Sequence, residues 1–68
     1  MKKGTEKGME AARYFGQEAE CRRVGIEDYR EDIASYFGYE NWESLPSNVK
    51  ADAMKEFSLG REFERNAY

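Results

Sequence analysis

The stretch IEDYREDI holds four carboxylates, Glu27, Asp28, Glu31 and Asp32, at separations of one, three and four residues. Clustered carboxylates can move protons or hold a cation, and each use has requirements that can be checked. Acid–base work needs a walled pocket that pushes two pKa values apart, and a chain of 68 residues leaves little wall. A calcium loop needs a glycine-punctuated turn that wraps one ion, which carboxylates along a regular helix do not form. The chain has no histidine, so the usual proton shuttle near neutral pH and the commonest metal ligand are both missing. Cys21 is the single cysteine, which rules out an internal disulfide or a multi-cysteine zinc site. Arg22 and Arg23 beside it favour the thiolate while a helix end opposes it, and an inert thiol is expected. The reading is a non-enzymatic protein with no catalytic residue, no metal and no cofactor.

Binding is the chemistry that remains. Glu27, Asp28, Glu31, Asp32, Glu40 and Glu43 are the six acids of residues 26–46, opposed there by Arg30 alone. Residues 1–25 carry six Lys/Arg against four acids, and residues 47–68 four of each. A pI near 5 and this mixture of signs disfavour a general nucleic-acid or membrane binder, either of which wants a basic face. The acidic middle suits a protein partner with a basic surface. Tyr and Trp are enriched at interface hot spots. Tyr14, on the polar half of its helix, and Tyr39, beside a turn, are the expected anchors, while Trp42 is expected to plug the core.

These residues need elements to hold them. Leu, Ile, Val and Phe number ten, about 15% of the chain, a thin aliphatic supply, but ten aromatic rings each bury on the order of 150–250 Å². The pattern predicts an all-α, small three-helix domain spanning residues 1–68, with a short helical turn before the third helix. Helix one reads from about 6 to 23, capped by Thr5 and followed by Gly25 as the left-handed residue. Helix two reads over 26–37 and is stopped by Gly38; a turn starts at Asn41 and covers 42–45. Helix three reads over 46–66, with Pro46 in its first turn and a kink, an end or a close helix approach at Gly60. On a continuous second helix, Glu27/Glu31 and Asp28/Asp32 would repel at i,i+4 by roughly 0.2–0.5 kcal/mol per pair. The expected core is Phe15, Ile33, Phe37, Trp42, Leu45, Val49 and Phe57, with Tyr36 on the buried stripe.

The letters A-x-Y-F-G-x-E occur twice, at Ala12–Glu18 and Ala34–Glu40. The flanks diverge into helix formers after Gly16 and turn residues after Gly38, so two helices share a local solution and duplication is disfavoured. Gly8, Ala12 and Gly16 form a small-residue row that suits internal packing, with a homodimer seam through helix one as an alternative. IASYFGYENWESL partly resembles a helix-turn-helix, with Ala34 and Gly38 four apart between apolar positions. Such a resemblance implies a DNA-binding regulator, yet the following segment offers Glu40, Glu43 and Pro46 with no Lys or Arg to reach phosphates or guanine edges.

The opening residues are basic but lack the apolar run of a signal peptide, and no segment reaches the ~20 apolar residues of a membrane span. A cytoplasmic protein is expected. Its expected work is stoichiometric protein binding as an inhibitor or adaptor. By analogy of class alone, this is the work of the short acidic inhibitors of host defence that phages encode, anti-CRISPR proteins among them. A helix-turn-helix-like DNA-binding regulator and a structural homo-oligomer are the alternatives.

Overall fold

A computed structural model describes residues 3–67; Met1, Lys2 and Tyr68, the ends of the expected domain, lie outside them. The described residues form three α-helices and no strand: α1 (Lys3–Arg22), α2 (Arg30–Phe37) and α3 (Ser47–Asn66), with 3-10 turns at Ile26–Asp28 and Trp42–Ser44. The all-α class and the three helices expected of the sequence are present.

α1 and α3 are the two long elements, and they run parallel. Arg13 reaches Glu56, Cys21 reaches Glu64 and Glu20 reaches Arg65, a near-constant offset along both chains. Their backbones touch where both helices carry glycine. A Cβ on Gly16 would strike the carbonyl oxygen of Phe57, and one on Gly60 that of Arg13. α3 continues through Gly60 to Asn66, so the helix does not end there, and the close approach of a neighbouring helix is realised. α2 returns antiparallel across α1, with Phe37 against Gly8 at one end and Tyr29 stacked on Phe15 at the other.

The core is made of rings and alanines. Tyr29, Ile33, Phe37, Trp42, Leu45 and Phe57 are buried together with Ala12, Ala19, Ala34 and Ala53. The alanines let helices approach closely enough for a few rings to fill the space between them. Phe15 and Val49 are only partly buried against this cluster. Tyr29 sits at its centre, stacked on Phe15 at 5.1 Å and tilted against Phe57 at 6.1 Å, with its hydroxyl accepting from Arg22 at 2.9 Å.

Several expected boundaries move. Thr5 lies inside α1, which begins at Lys3, instead of ahead of it. Gly25 is extended (φ −97°, ψ −179°), and the left-handed residue after α1 is Arg23 at φ 60°. The Arg23 N–H bonds Glu20 O at 3.3 Å and the Val24 N–H bonds Ala19 O at 3.1 Å, the paired pattern that ends many helices. Val24 is thereby folded back onto the core.

Helix two is shorter than the 26–37 expected. Ile26–Asp28 form a 3-10 turn, and Tyr29 (φ −121°, ψ −1°) breaks the path before α2 begins. The break keeps the Tyr29 ring in the core and takes Glu27 and Asp28 off the helix, so the like-charge i,i+4 pairs do not form on one regular helix. Gly38 (φ 92°) ends α2 as expected, with the Tyr39 N–H bonding Ala34 O at 2.9 Å. Asn41 Oδ1 accepts from the Ser44 N–H at 3.0 Å and so starts the second 3-10 turn. Pro46 precedes α3, and its carbonyl accepts the Lys50 N–H at 2.9 Å.

Candidate functional site

The chain's charges fall into two sets with different uses. The first lies along the α1–α3 seam and is paired. The buried Glu56 carboxylate accepts from Arg13 Nη2 at 2.7 Å and Nε at 3.0 Å. Glu20 faces Arg61 at 3.3 Å and Arg65 at 3.2 Å, and Arg61 donates to the Val24 carbonyl. The Arg65 hydrogen bond holds the Glu20 carboxyl below its usual range. The Cys21 thiol donates to Glu64 at 3.1 Å, and that bond, aided by burial and the neighbouring carboxylates, pushes the thiol pKa up. Glu64 therefore acts against the thiolate that the neighbouring arginines would favour. An open cleft at this end of the seam is lined by Glu20, Cys21, Arg23, Arg61, Glu64 and Arg65. Apart from Arg23, each of these groups already has a partner within the seam.

The second set surrounds α2. Glu27, Asp28, Glu31, Asp32, Glu40 and Glu43 are all exposed, and among the described residues none makes an ion pair or a side-chain hydrogen bond. Arg30, the one cation of residues 26–46, turns its guanidinium over the Trp42 ring at 5.8 Å. Among the described residues these six acids have no ion-pair partner.

The structure brings four of these acids together and sets two apart. Glu27 and Asp28 on the first 3-10 turn lie beside Glu31 and Asp32 in the first turn of α2. Glu40 and Glu43 follow the other end of α2, with Tyr39. Between Asp32 and the end of α2 at Phe37 the helix rises by about 1.5 Å per residue, roughly 8 Å in all, before the turn that carries the second group. The helix dipole accounts for part of the first group. Because α2 starts at Arg30, Glu31 and Asp32 are the residues that face its positive pole, a role the longer helix would have assigned to Glu27 and Asp28.

Tyr14 is 62% exposed and Tyr39 36%. Trp42 is buried, as the sequence predicts. Tyr36 is a correction: it was expected on the buried stripe and is 52% exposed. With Lys7, Glu10, Ala11, Tyr14 and Phe15 it lines a groove between α1 and α2. The repeated motif carried the missing signal, since Ala12 and Ala34 are buried and Tyr14 and Tyr36 are exposed at the same place in both copies. The small-residue row is covered by the chain itself, Gly8 by Phe37 and Gly16 by α3, so a dimer seam through α1 would use another face. On α3, Met54, Leu59 and Phe63 are exposed.

Glu56 escaped the sequence reading, although its place on the 49–53–56–60 line of α3 marks a carboxylate that turns inward and requires a cation. Among the described residues no group of three or more acid or cysteine side chains is arranged to hold a metal ion. No helix of the described residues is long and apolar enough to cross a membrane. Compared with known proteins, the chain matches no family model, no curated protein and no solved structure.

Proposed function

We propose that this chain is a non-enzymatic, cytoplasmic protein that binds a basic protein surface stoichiometrically, as an inhibitor or adaptor, through the acidic flank around α2. The observation that supports this most is the division of charge. The acids of the seam are nearly all paired, whereas six exposed carboxylates around α2 have no partner among the described residues. Self-repulsion of this kind does nothing for the fold beyond the helix-pole role of Glu31 and Asp32, and complementary charge steers association and fixes register. Phage-type inhibitors of host defence, such as anti-CRISPR proteins, are the class this chemistry suits.

The test reverses charge where the helix pole is untouched. Glu27→Lys with Asp28→Lys lies on the 3-10 turn outside α2, and is expected to leave the thermal melt unchanged. The intact chain should retain a basic partner at fixed stoichiometry in a pull-down read by mass spectrometry, and the double variant should lose it. Equal retention by both would remove the acidic flank from consideration. A salt-sensitive mobility shift with duplex DNA would favour the DNA-binding regulator in its place, and concentration-dependent sedimentation of the chain alone the homo-oligomer.

A further inference from the structure

We infer that the groove between α1 and α2 seats an arginine side chain of the basic partner, an inference that rests on the reading just proposed. Ala11 and Phe15 line the groove between Tyr14 and Tyr36. Phe15 meets both tyrosines edge-on, at 5.9 Å and 63° for Tyr14 and at 5.9 Å and 60° for Tyr36. The site thus offers two exposed aromatic rings over an apolar floor. An aliphatic stem can lie on that floor, and a cation within about 6 Å of a ring is attracted to its face.

Charge decides which occupant fits. Glu18 lies one turn beyond Tyr14 on α1, and Asp32 one turn before Tyr36 on α2. Residues four apart share a helix face, and the two helices are antiparallel, so both carboxylates stand at the same end of the groove. Glu18 is 3.9 Å from Arg22, which leaves Asp32 as the carboxylate free to meet a guanidinium. Within the groove itself Glu10 is offset by the cation Lys7, so Asp32 at its end supplies the net negative charge. An acidic or phosphorylated ligand would meet Glu10 in the groove and Asp32 at its end with only Lys7 in return, and a purely apolar helix would desolvate these carboxylates without a partner. A guanidinium lies flat on an aromatic ring, is more weakly hydrated than an ammonium and bonds a carboxylate in two places. The chain satisfies its own rings in this way, with Arg22 over Tyr29, Arg30 over Trp42 and Arg61 over Phe57, each at 5.8 Å. Among the described residues no cation stands over Tyr14 or Tyr36.

The experiment titrates the intact chain at low salt with a short capped peptide alternating arginine and alanine, followed by the aromatic and backbone NMR signals. A lysine-for-arginine peptide is the comparison. The Tyr14 and Tyr36 ring signals should shift saturably, and the arginine peptide should bind several-fold tighter than its lysine counterpart. Tyr14→Ala and Tyr36→Ala should each weaken it by about two- to fivefold, the worth of an exposed cation–π contact, with melts that show both variants folded. Tyr14→Phe keeps the ring and should keep the binding. Equal affinity for the two peptides, with shifts confined to Glu27, Asp28 and Glu31, would overturn the groove and leave the acidic flank standing. Binding that survives Glu27→Lys with Asp28→Lys and Asp32→Asn but is lost in Tyr14→Ala would keep the ring contact and count against the flank. No shift with either peptide would overturn the inference.

Discussion

Two effects of opposite sign meet at Gly60. In an unobstructed helix interior, Gly→Ala stabilises by about 1 kcal/mol. At Gly60 the new methyl runs into the carbonyl oxygen of Arg13 and lies 2.9 Å from its carbonyl carbon and 3.1 Å from the Gln17 nitrogen. These are backbone atoms inside a 20-residue helix, so no rotamer change relieves the contact and α1 and α3 must separate. A gap of about 0.5–1 Å already forfeits roughly a quarter to a half of the dispersion energy across it, and Ala12, Ala53 and Phe57 are buried behind this seam. Overpacking costs about 1–3 kcal/mol, and contact with rigid backbone places Gly60→Ala toward the upper end. After the helix gain is subtracted, a net loss of about 1–2 kcal/mol is expected, against the roughly 3–5 kcal/mol that a core of this size supplies. Urea denaturation followed by far-UV circular dichroism measures it, with exposed Ser58→Ala on the same helix as a control that should gain a few tenths of a kcal/mol. Gly16→Ala should behave like Gly60→Ala, and the double variant should lose less than the sum because the helices part only once. A Gly60→Ala midpoint at or above that of the unaltered chain would refute the close approach.

Four further outcomes follow from the seam and its ends. Arg13→Ala leaves the buried Glu56 carboxylate without its cation and should cost about 1–3 kcal/mol in the same urea assay. Arg23→Gly removes a side chain held at φ 60°, a conformation that costs a non-glycine residue about 1–2 kcal/mol; part of that is returned as chain entropy, so the variant should be more stable by about 0.5–1 kcal/mol. The Glu20 carboxyl is depressed by Arg65, so its contribution is present above the unfolded carboxyl pKa and lost as pH falls through the folded value; Glu20→Gln should flatten the acid limb of the stability profile. The Cys21 thiol is raised, mainly by Glu64, and its contribution runs the other way, present below the unfolded thiol pKa and lost as pH rises through the folded one. Glu64→Gln should accordingly speed alkylation of Cys21 at mildly alkaline pH.

Much of this architecture is legible in the residues, for reasons that can be named. Gly38 punctuates α2 because only a left-handed residue closes that turn, and Asn41 announces the 3-10 turn by its capping side chain. Periodicity places Ile33, Phe37, Ala53 and Phe57 inside. What periodicity cannot supply is relative direction. The parallel run of α1 and α3 follows from a short antiparallel α2, and it alone brings Gly16 and Gly60 face to face and sets Arg13 on Glu56. The break at Tyr29 is equally silent, since Ile26, Tyr29 and Ile33 fit one helical stripe, yet tertiary packing of the Tyr29 ring overrides it. The candidate site was half legible. Composition marks the six acids and Tyr14, while the exposure of Tyr36 depends on how α2 tilts against α1.

The most direct measurement maps the backbone and ring NMR signals of the intact chain as the partner retained in the pull-down is added. Perturbations should centre on Glu27, Asp28, Glu31, Asp32, Tyr14 and Tyr36, with the Arg13–Glu56 and Glu20–Arg65 seam undisturbed. A map centred on Met54, Leu59 and Phe63 of α3, with the α2 flank unmoved, would place the partner on α3 and rule out the acidic flank.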